Sequence, residues 1–141
     1  MEKICWKDQY SVGVEKFDRQ HRRLFEITNK LIECPNQPKC AKLVGETLAE
    51  MVAYAREHFA DEEMLMRQYG YPDIESQKKQ HDYFIKTTAE LAVNFMDNKN
   101  TTSDEIAEFL SLWLINHILK SDMKYKPFFA AKIPANAEYS I

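Results

Sequence analysis

Glycine and proline are scarce, at three and five of 141 residues. Short strands and tight turns need both as punctuation, so a chain of many strands is excluded. The Ala, Leu, Glu, Lys and Met that fill the intervals are helix formers. No apolar run approaches the ~20 residues needed to span a bilayer, and the start, Met1 to Tyr10, carries a Trp and charges where a secretory signal needs an apolar stretch. The formal net charge is −3 and the basic residues are scattered, so no phosphate-tracking surface is present and nucleic acid is not an expected partner. Cysteine is limited to Cys5, Cys34 and Cys40, without the close pairing of a zinc knuckle or a redox motif. Free thiols in a reducing compartment are the expectation. These absences leave a single-domain, all-α, cytoplasmic protein.

What the chain does have is a set of apolar stripes at the three-four spacing of one helix face. The first runs Phe17, His21, Leu24, Thr28, Leu31. The second continues from Ala41 through Val44, Leu48, Met51, Ala55, His58, Glu62, Leu65 and Tyr69. The third passes Ile74, Gln77, His81, Phe84, Thr88, Leu91 and Phe95, and the fourth Ile106, Leu110, Trp113 and His117. All four histidines of the chain thus stand on core stripes, one per helix. A single histidine on an apolar face is more often a hydrogen-bonded core residue than a ligand. With roughly two seam positions in seven, however, four independent histidines reach them by chance on the order of once in 150. A buried Glu62 adds several kcal/mol of cost unless it is paired or metal-bound. A metal site inside a helical bundle follows.

The expected organisation is an extended N-terminal arm over 1–17, a bundle over 18–122 and an irregular tail over 123–141, marked by Pro127 and Pro134. Asp18 is the expected N-cap of the first helix, which ends near Glu33 before a loop holding Pro35 and Pro38. Gly70 should stop the second helix, with Pro72 and Asp73 opening the third. The third fades near Asp97, Asn98 to Thr102 is a polar loop, and Ser103 is the expected N-cap of the fourth. Short connections make consecutive helices antiparallel. By the rise of 1.5 Å per residue, Glu62, His81 and His117 reach similar depth. His21 lies nearer its loop than His58 does, which calls for a longer excursion there.

Imidazole mixed with carboxylate suits iron, zinc or manganese rather than calcium. His58 and Glu62, four apart, face one metal or metal pair. Asp122 follows His117 by five, roughly 140° off the ideal stripe, so reaching the site needs a local distortion. Two bridging-capable carboxylates and four imidazoles exceed what one tetrahedral zinc uses, and a dinuclear centre fits better. The Glu-x-x-His units of ferritin-like di-iron sites are absent. An imidazole-rich shell carries less anionic charge and favours reversible binding over aggressive oxidation.

With these residues assembled, the chain resembles the bacterial hemerythrins along nearly its whole length. The resemblance rests on Trp6, Tyr10-Ser-Val-Gly-Val14, Asp18, Gln20-His21, His58-Phe59, Glu62-Glu63, Gly70-Tyr71-Pro72, His81, Trp113-Leu114, His117-Ile118 and Asp122. It implies an up-down-up-down antiparallel four-helix bundle and two non-haem iron ions joined by an oxo or hydroxo bridge, with Glu62 and Asp122 as carboxylate bridges. It implies that His21 and His58 hold the iron with an open position for dioxygen, and His81 and His117 the other. Leu24, Phe59, Trp113, Leu114 and Ile118 match positions that wall the dioxygen pocket, where ordinary core packing is the alternative reading.

One position departs from the family pattern. A histidine is expected four residues before His81, and Gln77 stands there. Its amide oxygen ligates, or it holds a completing water, or the second iron has an open position. The first functional expectation is a dioxygen-binding protein for storage, delivery or scavenging, not an enzyme. A peroxidase- or oxidase-like enzyme made reactive by Gln77 is the alternative, and an oxygen or redox sensor the third. A monomer is expected, with the tail packed on the bundle or open to a partner protein.

Overall fold

Gly70 takes φ 71° and closes the second helix with its N–H on the Arg67 and Met66 carbonyls, a left-handed stop that a Cβ would strain. Around such stops the chain forms helices only; no strand occurs among the described residues. The computed structural model describes residues 1–34, 36–97 and 100–134, so Pro35, Asn98 and the last seven residues of the expected tail lie outside the described residues. The helices are α1 (Glu15–Glu33), α2 (Ala41–Tyr69), α3 (Ile74–Met96), α4 (Ser103–His117) and α5 (Met123–Lys132), with a π-helical segment, Ile118–Asp122, joining the last two. The first four make the four-helix bundle. Short 3-10 turns lie at Asp8–Tyr10 and Pro38–Cys40.

The stripes hold: every central residue from Phe17 to Leu31, Val44 to Leu65, Gln77 to Thr88 and Ile106 to Leu110 named above is buried. They form two apolar clusters. The larger runs from Tyr10 and Leu24 through Leu48, Phe59, Phe84 and Leu110 to Ile118. The smaller gathers Val12, Val14, Phe17, Leu65, Met66, Tyr71, Tyr125, Phe129 and Ile133. On α1, α2 and the α4-to-α5 rod, the histidines and carboxylates fall between the two.

Several boundaries differ from expectation. Asp18 is not an N-cap: α1 begins at Glu15, and the Asp18 carboxylate instead accepts from Ser11 Oγ (2.6 Å) and the Val12 N–H (2.8 Å), pinning the arm to the helix. Gly13, at φ 78°, turns the arm into α1. The arm therefore ends at Val14 rather than at residue 17. The N-cap of α4 is Thr102, whose hydroxyl accepts from the Glu105 N–H (3.1 Å), one residue before Ser103. Asp73 sits outside the first turn of α3, as its N-cap residue.

The largest correction is the tail, which is helical to Lys132 despite Pro127. An internal proline costs ~3 kcal/mol. Burying Tyr125 and Phe129 among Phe17, Tyr69 and Tyr71 returns about 1.5–3 kcal/mol per side chain. Packing outweighs the local rule.

Candidate metal centre

The π-helical segment solves the spacing problem of Asp122. Widening the helix to i→i+5 bonding brings residues five apart onto one face, and His117 Nε2 lies 3.1 Å from Asp122 Oδ1. Neighbouring atoms complete the layer. His58 Nε2 is 3.0 Å and His81 Nε2 3.4 Å from Glu62 Oε1; His21 Nε2 is 3.6 Å from Glu62 Oε2 and 3.2 Å from Asp122 Oδ2. All six residues are buried. The longer excursion expected between α1 and α2 is taken up by the connection with its 3-10 turn, and the His21 and His58 rings lie 4.6 Å apart.

Two donor groups emerge, Glu62 with His81, His117 and Asp122, and Glu62 with His21 and His58, each with donor atoms within 4.8 Å of one another. Glu62 belongs to both. The two Asp122 oxygens divide between His117 and His21. Carboxylates shared in this way suit two cations side by side.

The fit is tested by what is left unsatisfied. His21 Nε2, Glu62 Oε1, His81 Nε2, His117 Nε2 and Asp122 Oδ2 are buried without a hydrogen bond. Each such atom costs ~1–3 kcal/mol, a penalty that a cation among them removes. Outer partners fix the imidazoles. His58 Nδ1 donates to Gln20 Oε1 (2.6 Å), His81 Nδ1 to Glu63 Oε2 (2.8 Å) and His117 Nδ1 to Gln80 Oε1 (2.7 Å). With Nδ1 carrying the proton, the Nε2 lone pair is free to face the layer. Gln20 is itself held by donating to Asp61 (2.8 Å), and Gln80 accepts from Ser121 Oγ (2.6 Å).

Charge in the metal-free layer is balanced by protons. Burial pulls His21 down, but hydrogen bonds and charges from Asp122 and Glu62 outweigh it, and its pKa is pushed up to about 9. His81 likewise reaches about 9, burial being overcome by Glu62 and Glu63. Burial opposes ionisation of Glu62, yet His58, His21 and His81 hold it well below the usual range. Burial and the Glu62 charge raise Asp122, while His117 and His21 more than offset them. For His58 burial dominates and lowers it.

The five positions that the resemblance links to a dioxygen pocket are apolar and lie in or against the larger cluster. Phe59 stacks on His81 at 3.9 Å and Trp113 on His117 at 4.4 Å. Leu24, Phe59, Leu114 and Ile118 are buried in the larger cluster, and Trp113 packs against it half-buried. Sequence reasoning gave no role to Gln80 and read Tyr125 only as part of a tail packed on the bundle or open to a partner, whereas its hydroxyl donates to Glu62 Oε2 at 2.6 Å. Gln20 and Glu63 stood out only through the resemblance.

A family model described as the hemerythrin HHE cation binding domain matches residues 12–129. Bacteriohemerythrin of Stenotrophomonas maltophilia (strain R551-3) is 39% identical over 122 residues, covering 86% of this chain and 78% of the relative. Myohemerythrin of Theromyzon tessulatum is 34% identical over 121 residues, covering 86% and 89%. A crystal structure of wild-type hemerythrin matches with a TM-score of 0.81 at 29% identity, covering 88% of this chain and 95% of that one.

Proposed function

This chain belongs to the hemerythrin family, and from that premise we propose that His21, His58, Glu62, His81, His117 and Asp122 hold two iron ions to which dioxygen binds reversibly. The protein is a non-haem di-iron dioxygen-binding protein. The observation that carries the residue assignment is the division of the Glu62 and Asp122 carboxylates between two imidazole sets.

When bound, the iron pair would supply the redox chemistry that holds dioxygen. The chain's own residues supply everything else. His58, His81 and His117 are aimed by Gln20, Glu63 and Gln80, so that a cation displacing any layer-facing proton would meet the Nε2 lone pair of each. Tyr125 orients Glu62 from the opposite side. Phe59 and Trp113 lay their ring faces on His81 and His117, and Leu24, Leu114 and Ile118 pack in the same apolar cluster, a lining that disfavours water and anions. Excluding water is what lets dioxygen leave unchanged, and a storage, delivery or scavenging role follows. No helix among the described residues is long and apolar enough to cross a membrane.

The test is iron content per chain together with visible absorption before and after dioxygen and again after its removal. Two irons and a band that appears and disappears with dioxygen are expected. A single iron, or zinc, removes the reading; sustained peroxide turnover with a reductant replaces the carrier with an enzyme.

A further inference from the structure

The stripe residue that is not an imidazole, Gln77, is 2% exposed, yet it borders a cleft. The cleft holds about 120 Å³ and is lined by Tyr71 and by the polar side chains of Asp73, Ser76, Gln77, Gln80, Ser121 and Lys124. That is room for several waters at ~10–15 Å³ of accessible volume each. Asp73, Ser76 and Lys124 are exposed and open it to solvent, whereas Gln77 is buried at its inner side. Polar groups reach the layer here, in contrast with the rings and aliphatic chains of the opposite wall.

Gln77 meets the layer with the wrong end for ligation. Its Nε2 donates to Asp122 Oδ1 at 3.1 Å, the same oxygen that lies 3.1 Å from His117 Nε2. An amide N–H₂ has no lone pair to offer a metal. Turning the amide over would set its carbonyl against a carboxylate oxygen, acceptor against acceptor. In the observed orientation Gln77 Oε1 is buried and has no partner, an acceptor waiting for a donor. On this side the chain therefore offers two imidazoles and the shared carboxylates, and nothing where a third imidazole would stand.

We propose that Gln77 leaves an exchangeable coordination position beside His81 and His117, reached through this cleft, which takes water or a small anion. Gln77 Oε1 accepts a hydrogen bond from the protonated form of that ligand. The inference rests on the two-metal reading above and assigns the second metal a solvent-exchanging face on the Gln77 side, away from the Phe59 and Trp113 rings that stack on its imidazoles.

The experiment loads the metal-free full chain with cobalt(II), then titrates azide by calorimetry while following the cobalt spectrum. Wild-type protein is expected to take two cobalt ions and to bind one azide more than Gln77→His, which loses the position beside His81 and His117. Equal azide stoichiometry in the two proteins overturns the proposal. Cobalt uptake short of two ions overturns the two-metal reading and the proposal with it, a separate and recognisable result. Should Gln77→His fail to fold, Ser76→Trp at the exposed mouth serves instead. It is expected to slow one azide-binding step about tenfold, equivalent to ~1.4 kcal/mol of barrier, and unchanged rates refute the cleft as the route.

Discussion

The larger apolar cluster and the smaller one flank the same layer of imidazoles and carboxylates, but they treat it differently. The larger presents hydrocarbon and ring faces, with Phe59 flat on His81 and Trp113 flat on His117. The smaller sends in a hydroxyl, Tyr125 on Glu62. One side confines the site by excluding water and the other positions it by hydrogen bonding. A buried ionic layer in a small bundle needs both, because packing alone leaves carboxylate lone pairs unsatisfied and hydrogen bonds alone admit solvent.

The comparison is broken most completely at the layer itself. Glu62→Ala removes the one residue common to both donor groups and strands His21, His58, His81 and Tyr125. Loss of both irons is expected, a larger effect than the roughly 10–100-fold weakening typical of removing an outer partner; metal analysis of the purified variant checks it. On the packing side, Phe59→Ala should cost about 3–5 kcal/mol in unfolding free energy, the usual cost of truncating a buried phenylalanine. Autoxidation of the oxy form should accelerate as water enters; denaturant titration and decay of visible absorption measure the two. On the hydrogen-bonding side, Gln80→Leu should weaken metal affinity roughly 10–100-fold by freeing His117. That loss should appear in metal competition assays while apolar packing is left intact.

The larger cluster was legible in the sequence because each of its stripes repeats on one helix face, and period alone reports burial. The same period exposed His21, His58, His81, His117 and Glu62 as residues out of place in a core. Asp122 was legible only through resemblance, since a regular α-helix turns it away and the π-helical segment that turns it back leaves no simple periodic signature. The smaller cluster was legible only at Phe17 and Leu65, which stand on the stripes. Its members come from the arm, from α1, from the C-terminal end of α2 and the turn after it, and from a segment where Pro127 argued for irregular chain, and only tertiary burial of Tyr125 and Phe129 overrides that proline. Gln80 and Tyr125 escaped for a related reason: a hydrogen bond spanning 37 or 63 residues has no local signature.

Protons sharpen the comparison next. In the metal-free protein His21 and His81 sit near 9, above the ordinary ~6.5. Their raised values contribute stability that is complete below about 6.5 and lost as pH climbs through 9. Glu62 and Asp122, held low, contribute stability that is lost as pH falls below the normal carboxylate range, and His58, lowered by burial, costs stability below ~6.5. Thermal unfolding of the metal-free protein should therefore fall off on both sides of a mildly acidic to neutral window. Metal loading must expel the imidazole protons, so apparent affinity should rise with pH up to about 9. A pH-independent affinity would contradict this assignment of protons.

The smallest effect tests the smaller cluster's one polar contribution. Tyr125→Phe keeps the buried ring and its contact with Phe17 and removes only the donor to Glu62 Oε2. In the metal-free protein that donor serves an ionised carboxylate, a bond worth about 1.5–3 kcal/mol. With cations bound, the carboxylate charge is already neutralised and the same bond falls toward the ~0.5–1.5 kcal/mol of a neutral pair. The variant should therefore lose more stability without metal than with it, and its metal affinity should rise slightly, because loading no longer weakens a bond the metal-free state had. Unfolding curves of both forms, measured with and without metal, decide the sign. No loss in either state would mean that Tyr125 only fills space and that the two clusters differ in size alone; equal losses would mean that cations leave the Tyr125–Glu62 bond unchanged.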